Sequence, residues 1–241
     1  MAVRHSAFTD RFVHTVRNWD GQLLAPSAEN RRSEGVQVFQ ALWFEGVFAK
    51  AHPIVPGLVW GPVTALCLYA ASRYEAFTAG WALLGFGVGF LAWTLLEYLL
   101  HRYVFHLAPD ASFESKLKQF MVHGYHHEFP NDRMRLVAPL LLSVPIAVVV
   151  AAVYFVLLRD YHWLTAFAGT VAGYLTYDWV HYYTHHFRPT TRLGKFLRRY
   201  HMEHHYKDSE SHFGISSPLW DWVFGTAKSR PDAKAEGPNA G

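Results

Sequence analysis

Four long apolar segments limit how this chain of 241 residues can fold. They cover residues 54–71, 78–100, 136–158 and 163–180. A helix needs ~20 apolar residues to cross a bilayer, and each segment is close to that length. The alternative, a large soluble core, would need far more amphipathic sequence around it than this chain contains. The segments therefore predict an all-α integral membrane protein with four transmembrane helices.

The distribution of charge predicts how these helices are oriented. Short connections join the first span to the second and the third to the fourth, so the four spans form two helical hairpins. Among the lysines and arginines, only Arg73 and Arg159 lie in these short connections. The positive-inside rule then places the N-terminus in the cytoplasm, together with 101–135 and 181–227. These last two stretches are expected to form a cytoplasmic helical cap.

The same pattern divides the chain into three parts. Residues 1–52 form a cytoplasmic N-terminal segment with no signal peptide, because acids and bases are mixed along it. Within it, 36–50 is rich in Phe and Trp and is either an interfacial helix or an ordinary packed one. Residues 53–227 form the membrane domain. Residues 228–241, rich in Ala, Lys, Pro and Gly, read as a disordered tail.

Histidine clusters beside the apolar segments are the strongest chemical signal. Imidazole is the commonest side-chain ligand for iron, zinc and copper, and spacings of three or four residues place ligands on one helix face. The motif H-x-x-H-H occurs twice, so its members are expected to reach one metal. The candidate ligands are His101, His106, His123, His126, His127, His181, His185, His201, His204 and His205. Ten ligands are too many for one ion, which indicates at least two. The alternative is a pair of pH-sensing surface helices.

Some neighbours of these histidines call for their own explanation. His101 and His106 are five residues apart, a poor fit to one α-helical face, so the helix is expected to end or bend between them, near 108–110. Glu97 lies one turn before His101, and an unpaired carboxylate near a membrane is costly. It is expected to accept a hydrogen bond from a metal-bound imidazole. Asp178 is expected to orient an imidazole or a water in the same way, with a plain boundary charge as the alternative.

The ligand type restricts the metal and its chemistry. The single cysteine, Cys67, lies within an apolar segment, so neither an intrachain disulfide nor a thiolate site is expected. Zinc suits imidazole but usually takes three or four ligands. A pair of iron ions, with more ligands and open positions for oxygen, fits ten histidines better. A membrane metal transporter or sensor is the rival class, but it would place polar ligands within the spans.

Several stretches together resemble one known superfamily. They are His123-Gly-Tyr-His-His-Glu-Phe-Pro-Asn-Asp-Arg-Met-Arg-Leu-Val-Ala-Pro139, Tyr177-Asp178 with His181-Tyr-Tyr-Thr-His185, Arg199-Tyr-His-Met-Glu-His-His-Tyr206 and Leu219-Trp-Asp-Trp-Val-Phe-Gly-Thr226. In these residues the chain resembles the fatty acid hydroxylase superfamily, which includes sterol desaturases, methyl oxidases and carotenoid hydroxylases. The similarity covers 85–227 and is greatest to the fatty acid 2-hydroxylases, without their cytochrome b5 domain.

The resemblance implies an activity. Two metal ions, iron in function and zinc in some purified members, would be held by the ten histidines, with Glu97, Tyr177 and Asp178 beside them. The reaction would be O2-dependent hydroxylation at C2 of a fatty acyl chain that is free, CoA-linked or part of a ceramide or other sphingolipid.

The resemblance also implies partners and a location. Electrons would come from a separate ferredoxin or cytochrome b5-type protein, and the missing fused donor suggests a bacterial inner membrane. A sterol, carotenoid or aminolipid is the alternative substrate. With a formal charge of only +3, no nucleic-acid partner is expected.

Overall fold

All the regular secondary structure is helical in the part of the chain that the computed structural model describes, residues 7–23 and 35–228. The all-α prediction is therefore confirmed. The helices are α1 (Asp10–Asn18), α2 (Leu42–Phe44), α3 (Val55–Ser72), α4 (Ala79–Leu100), α5 (Phe113–Gln119), α6 (Tyr125–Glu128), α7 (Leu140–Leu157), α8 (His162–His186), α9 (Arg192–Tyr206) and α10 (Leu219–Phe224). Nearly all of the predicted disordered tail lies outside the described residues.

Three π-helical turns extend these helices. Glu45–Ala49 follows α2, His101–Phe105 follows α4, and Phe120–Gly124 joins α5 to α6. Such turns carry hydrogen bonds from residue i to residue i+5, are rare in proteins, and are frequent at functional sites. Two of the three contain candidate metal ligands.

Three helices are long and apolar enough to cross a membrane: α3, α4 together with its π-helical turn, and α7. They begin and end within a few residues of three predicted spans. Much of their surface is exposed and apolar, as at Leu83 on α4 and Val149 and Val156 on α7. Apolar exposure on this scale is a liability in water and is expected against lipid.

The helix α8, where the fourth span was predicted, is of a different kind. It is long enough to cross a membrane, with 25 residues, but it is not among the helices that are also apolar enough to do so. It packs against α3, α4 and α7 and buries polar side chains, among them Thr165, Thr170 and Asp178. Because its neighbours are mainly protein, its surface need not be uniformly apolar. The prediction of exactly four spans is therefore supported for three.

Small residues let α4 and α8 approach closely. A Cβ at Gly89 would collide with the carbonyl oxygen of Ala166, and a Cβ at Gly169 would collide with that of Phe86. Close backbone contact through glycine is typical of helix packing within membranes. The contact fixes the two helices side by side, so that His101 and His181, near their C-terminal ends, lie on the same side of the bundle.

The N-terminal segment packs on the helices that carry the first histidine motif. Phe12 of α1, Trp19 at the C-terminal cap of that helix and Val38 form a buried cluster with Phe120 and Tyr125. An ion-pair network strengthens this contact. The buried Arg135 pairs with Asp132 and Glu45, and Glu45 also accepts hydrogen bonds from the backbone N–H groups of Val38 and Phe39.

The segment 36–50 combines features of both predicted kinds of helix. Phe44 and Phe48 pack against the buried cluster, while Leu42 and Trp43 are exposed. The packed contact is therefore present on one face, and an interfacial position for the other face stays a prediction.

Candidate metal centre

Five buried imidazoles converge at the first site. His101 comes from the end of α4, His106 follows its π-helical turn, and the others come from the α5–α6 region and from α9. The group consists of His101, His106, His123, His127 and His204, and one ligand nitrogen from each lies within 4.8 Å of the others. The Nε2 atom of His123 is 3.1 Å from that of His101 and 2.9 Å from that of His127.

A second group of five lies beside the first. It consists of His126, His181, His185, His201 and His205, again with ligand nitrogens within 4.8 Å of one another. The Nε2 atom of His126 is 3.0 Å from those of His181 and His205. The Nε2 atoms of His185 and His201 are 2.8 Å apart. His185 is the one member of the ten that is only partly buried.

These separations are those of metal ligands. Two nitrogens bound about 2.1 Å from one ion, at right angles to each other, lie about 3.0 Å apart. In the first group, Nδ1 of His101 donates to the carbonyl oxygen of Phe213 and Nδ1 of His204 to that of Ser211. Their Nε2 atoms therefore carry lone pairs, which face other imidazole nitrogens. A cation placed between these nitrogens would be bound by several lone pairs at once, so the residues fit a metal.

The protonation state agrees with this. Burial lowers the pKa of these imidazoles well below 6.5, so that they are neutral at physiological pH. The neutral form is the one that binds metal. The histidines concerned are His106, His123, His126, His127, His201, His204 and His205.

Each H-x-x-H-H motif is divided between the two groups, which differs from the expectation that its members reach one metal. His123 and His127 belong to the first group, whereas His126 belongs to the second. In the other motif the division is reversed, because His201 and His205 belong to the second group and His204 to the first. The first and last histidines of each motif are four residues apart and point the same way from the helix. The middle histidine, His126 or His204, points toward the neighbouring group.

The π-helical turn after α4 explains the spacing of His101 and His106. The helix was expected to end or bend between these two histidines, near 108–110, but it continues from His101 to Phe105 as a π-helical turn, and His106 is its C-terminal cap. The wider turn brings residues five apart over the same face. As a result the ring centroids of His101 and His106 are 4.9 Å apart.

The contacts of Glu97 differ from the predicted ones. Its carboxylate accepts hydrogen bonds from the backbone N–H of Ile215 at 2.6 Å, from the N–H of Ser216 at 2.9 Å and from the Ser216 hydroxyl at 2.5 Å. None of its described hydrogen bonds comes from an imidazole. The predicted hydrogen bond from a ligand is therefore not among the described contacts of Glu97. The physical reason is that the buried N–H groups of this loop need an acceptor, and Glu97 is that acceptor.

Asp178 and Tyr177 lie beside the second group without bonding to it. The Asp178 carboxylate accepts a long hydrogen bond, 3.4 Å, from the backbone N–H of Ala138, which links α8 to the segment before α7. No described hydrogen bond joins it to His181, whose Nδ1 has no partner. The predicted orienting contact is thus not present. The Tyr177 ring lies between Trp93 and His181, with ring-centroid distances of 5.8 Å to each.

A cavity of about 330 Å³ leads to the histidines. Three imidazoles line it, those of His123, His126 and His181. From there it extends between α7 and α8 as far as Val150 and Phe167. Phe167 lies fourteen positions before His181 on the same helix, which corresponds to a rise of ~21 Å. Its other lining side chains are mostly apolar or aromatic and include Trp60, Trp93, Leu142, Ile146, Ala147, Val171, Tyr174 and Tyr177. The arrangement suits a long apolar ligand.

Sequence reasoning missed the residues that build this cavity and the loop behind the first group. The cavity is formed by ordinary apolar side chains, and no spacing in the sequence sets them apart from lipid-facing ones. Asp221 is buried and accepts hydrogen bonds from the backbone N–H groups of Phe213 and Gly214. Its place between Trp220 and Trp222, in a stretch that carries the family resemblance, was the available signal.

Fold and site together define a helical, membrane-type protein with a buried, histidine-rich site suited to metal. A family model described as fatty acid hydroxylase matches residues 86–226. A dihydroceramide fatty acyl 2-hydroxylase of Arabidopsis thaliana is 34% identical over 194 residues, which are 80% of each chain. A fatty acid 2-hydroxylase of Rattus norvegicus is 36% identical over 86% of this chain and 59% of its own.

A solved structure is similar as well. Full-length scs7p, in which only the hydroxylase domain is visible, has a TM-score of 0.72 and 32% sequence identity, covering 92% of this chain and 80% of that one. The chain therefore belongs to the fatty acid hydroxylase family. The family hydroxylates fatty acyl chains in a metal-dependent reaction, which makes the protein an oxygenase-type oxidoreductase.

Proposed function

We propose that the protein hydroxylates a membrane lipid at C2 of its fatty acyl chain. The observation that carries this proposal is the apolar cavity, which ends on three of the ten converging histidines. The relatives named as fatty acid or dihydroceramide fatty acyl 2-hydroxylases support both the reaction and the carbon atom. The acyl chain is free, CoA-linked or part of a ceramide, and product analysis distinguishes these three forms.

Each five-histidine group is proposed to hold one metal ion, and iron is the proposed metal in function. Bound iron would supply the reduction of O2 and the oxidation of the C–H bond. Hydroxylation of one C–H bond by O2 consumes two electrons and two protons and releases one water. Neutral imidazoles suit the ions because they donate lone pairs without cancelling the metal charge. Zinc would compete for the same ligands during purification.

The side chains of the cavity would bind and orient the substrate. The alkyl tail would lie between α7 and α8, where Ile146, Ala147 and Val171 exclude water. This places the start of the acyl chain beside His181 and His123. Tyr177, which lines the cavity next to His181, would contact the chain near its reacting carbon. Such positioning contributes to rate by holding one C–H bond at the oxidant.

Electrons are proposed to come from a separate acidic redox protein of the ferredoxin or cytochrome b5 type. His185 is the most exposed of the ten histidines. Arg188, Arg198 and Arg199 line a depression on the adjacent surface. Complementary charge steers the association of electron-transfer partners and is screened by salt. Reduction of the loaded protein by such a donor is expected to slow as ionic strength rises.

The proposed topology has four spans, with both termini and the histidine centre in the cytoplasm of a bacterial inner-membrane protein. The exposed apolar faces of α3, α4 and α7 support it, together with the positions of Arg73 and Arg159. In a Cys67→Ala background, a membrane-impermeant maleimide added to intact cells should label Glu75→Cys and leave Ala111→Cys unlabelled. The reverse pattern would overturn this orientation.

The activity is tested by expression in a host that lacks 2-hydroxylated lipids, with 18O2 supplied and a redox partner co-expressed. We expect labelled 2-hydroxy acyl chains in the membrane lipids. Labelled sterol, carotenoid or aminolipid products without 2-hydroxy acyl chains would overturn the substrate assignment.

The metal assignment has its own test by elemental analysis of the purified protein. His126→Ala and His204→Ala remove one ligand from the second and the first group respectively, so each variant should hold about one ion fewer and lose hydroxylation. His14→Ala, at an exposed histidine outside both groups, is the matched control. Full metal content in both ligand variants would overturn the assignment.

A further inference from the structure

One loop holds two ligands of the first histidine group through its backbone. Nδ1 of His204 donates to the carbonyl oxygen of Ser211 at 2.7 Å, and Nδ1 of His101 donates to that of Phe213 at 2.5 Å. A ligating histidine whose second nitrogen donates to a carbonyl is fixed in its ring orientation, and it becomes a more basic ligand. The loop therefore determines how two of the five ligands face their ion.

The conformation of the loop is unusual and specific. His212 has φ of 59°, in the left-handed region that residues other than glycine seldom adopt. This residue lies between the two carbonyls that accept from the ligands. At Gly214, a Cβ would collide with the carbonyl oxygen of Ser217. A backbone held in such a conformation needs surrounding contacts that over-determine it.

Two buried carboxylates supply those contacts. Asp221 accepts hydrogen bonds from the backbone N–H of Phe213 at 2.8 Å and of Gly214 at 2.7 Å. Glu97 accepts from the N–H groups of Ile215 and Ser216 and from the Ser216 hydroxyl. Four successive N–H groups of the loop are thus bound by two side chains that themselves touch no histidine in any described hydrogen bond.

In the second group, no described hydrogen bond joins an imidazole Nδ1 to a backbone carbonyl. Nδ1 of His181, His201 and His205 has no hydrogen-bond partner, and in the first group the same holds for His106 and His127, so the difference lies in the two imidazoles that the loop holds. The two groups have the same number of imidazoles, yet they differ in how firmly those imidazoles are held.

We propose that Asp221 and Glu97 are positioning residues that act through the 211–216 loop, and that they make the first histidine group the tighter of two metal sites. The inference rests on the proposed two-metal centre. Substitution of an outer partner of a ligating histidine typically weakens metal affinity 10- to 100-fold. The effect of losing Asp221 or Glu97 should be of that size and should be confined to one site.

The test is a titration of the purified, detergent-solubilised protein with zinc against a competing chelator. Wild type should bind two ions in two unequal steps. Asp221→Asn leaves one loop N–H facing the side-chain NH2 group, which cannot accept a hydrogen bond. The tighter binding step should therefore weaken roughly 10- to 100-fold, while the other step stays unchanged. Gly214→Ala, which displaces the loop without removing a charge, should act in the same way.

Glu45→Gln is the matched control, because Glu45 is also buried and also accepts two backbone N–H groups, those of Val38 and Phe39. It should leave both binding steps unchanged. Glu97→Gln keeps an amide oxygen for the two N–H groups and should retain the tight step, whereas Glu97→Ala should lose it. This rescue separates a hydrogen-bonding role from a role of the charge.

The outcomes distinguish the two proposals. If wild type binds fewer than two ions, the proposed centre is overturned, and this inference falls with it. If wild type binds two ions but Asp221→Asn and Gly214→Ala weaken both steps equally, or have no more effect than Glu45→Gln, the inference alone is overturned.

Discussion

At the scale of single residues, burial of the imidazoles ties the stability of the metal-free protein to pH. The pKa of His123, His126 and His205 is well below 6.5 in the folded state because burial disfavours the charged form. Below about pH 6.5 the unfolded chain therefore binds more protons than the folded one, and stability falls as pH falls. The metal-free protein should unfold at a lower temperature at pH 5.5 than at pH 7.5.

Thermal unfolding of the chelator-treated protein across that pH range checks this. Replacing both His126 and His205 by Asn should reduce the pH dependence, because two of the titrating groups are gone. An unfolding temperature that does not change between pH 7.5 and 5.5 would contradict the account.

The sequence predicted the ten histidines that the structure brings together, but not how they are divided between two groups. Identity followed from residue type and, for all but the His101–His106 pair, from helical spacing, which are local properties. The division of each H-x-x-H-H motif depends on where α4, α8 and α9 bring the other ligands, which is a property of the packed bundle. For the same reason the true partners of Glu97, the N–H groups of Ile215 and Ser216, were not predictable, since they lie more than a hundred residues away.

At the scale of elements, the contact between α4 and α8 depends on glycine. Gly89→Ala would drive a methyl group into the Ala166 carbonyl and should destabilise the protein by about 1–3 kcal/mol. Gly87, on the same helix, has open space around its Cβ position. Gly87→Ala should be neutral or stabilising by up to about 1 kcal/mol. Equal effects of the two substitutions on thermal unfolding in detergent would contradict the packing described for α4 and α8.

The face that α7 presents to the cavity should determine the length of acyl chain accepted. Ala147 lines the cavity, so Ala147→Phe would fill its inner part and should shift the products toward shorter hydroxylated chains. Val149, two residues away, is exposed on the apolar surface, and Val149→Phe is the matched control with no expected shift. Chain-length profiles of the lipid products check this, and an unchanged profile for Ala147→Phe would place the acyl chain elsewhere.

At this scale, the sequence predicts the elements that leave a clear local pattern of residues and does not predict those that leave none. The long helices were found because apolar runs are strong signals. The π-helical turn His101–Phe105 was not, because a spacing of five residues between His101 and His106 reads as a break in an α-helix. Only the requirement that both imidazoles reach one group reveals the wider turn. The helix α8 shows the converse, since its apolar run predicted a span like the other three and did not reveal that it packs against all of α3, α4 and α7.

At the scale of the whole molecule, a histidine centre closes one end of an apolar cavity inside a helical bundle. The bundle also has lipid-compatible faces on α3, α4 and α7, as expected for an enzyme whose proposed substrate is held in the bilayer. Family membership, cavity and ligand set all agree on an oxygenase acting on acyl chains. The position of attack is the part of the account that a single measurement decides.

In that measurement, the iron-loaded protein acts on an acyl chain that carries two deuterium atoms at C2, under 18O2 and with a reducing partner. The lipid product is then analysed by mass spectrometry. The account predicts a product that has gained one 18O atom and lost one deuterium, because the new hydroxyl group is at C2. A product that contains 18O but retains both deuterium atoms would place the attack at another carbon and would contradict the account.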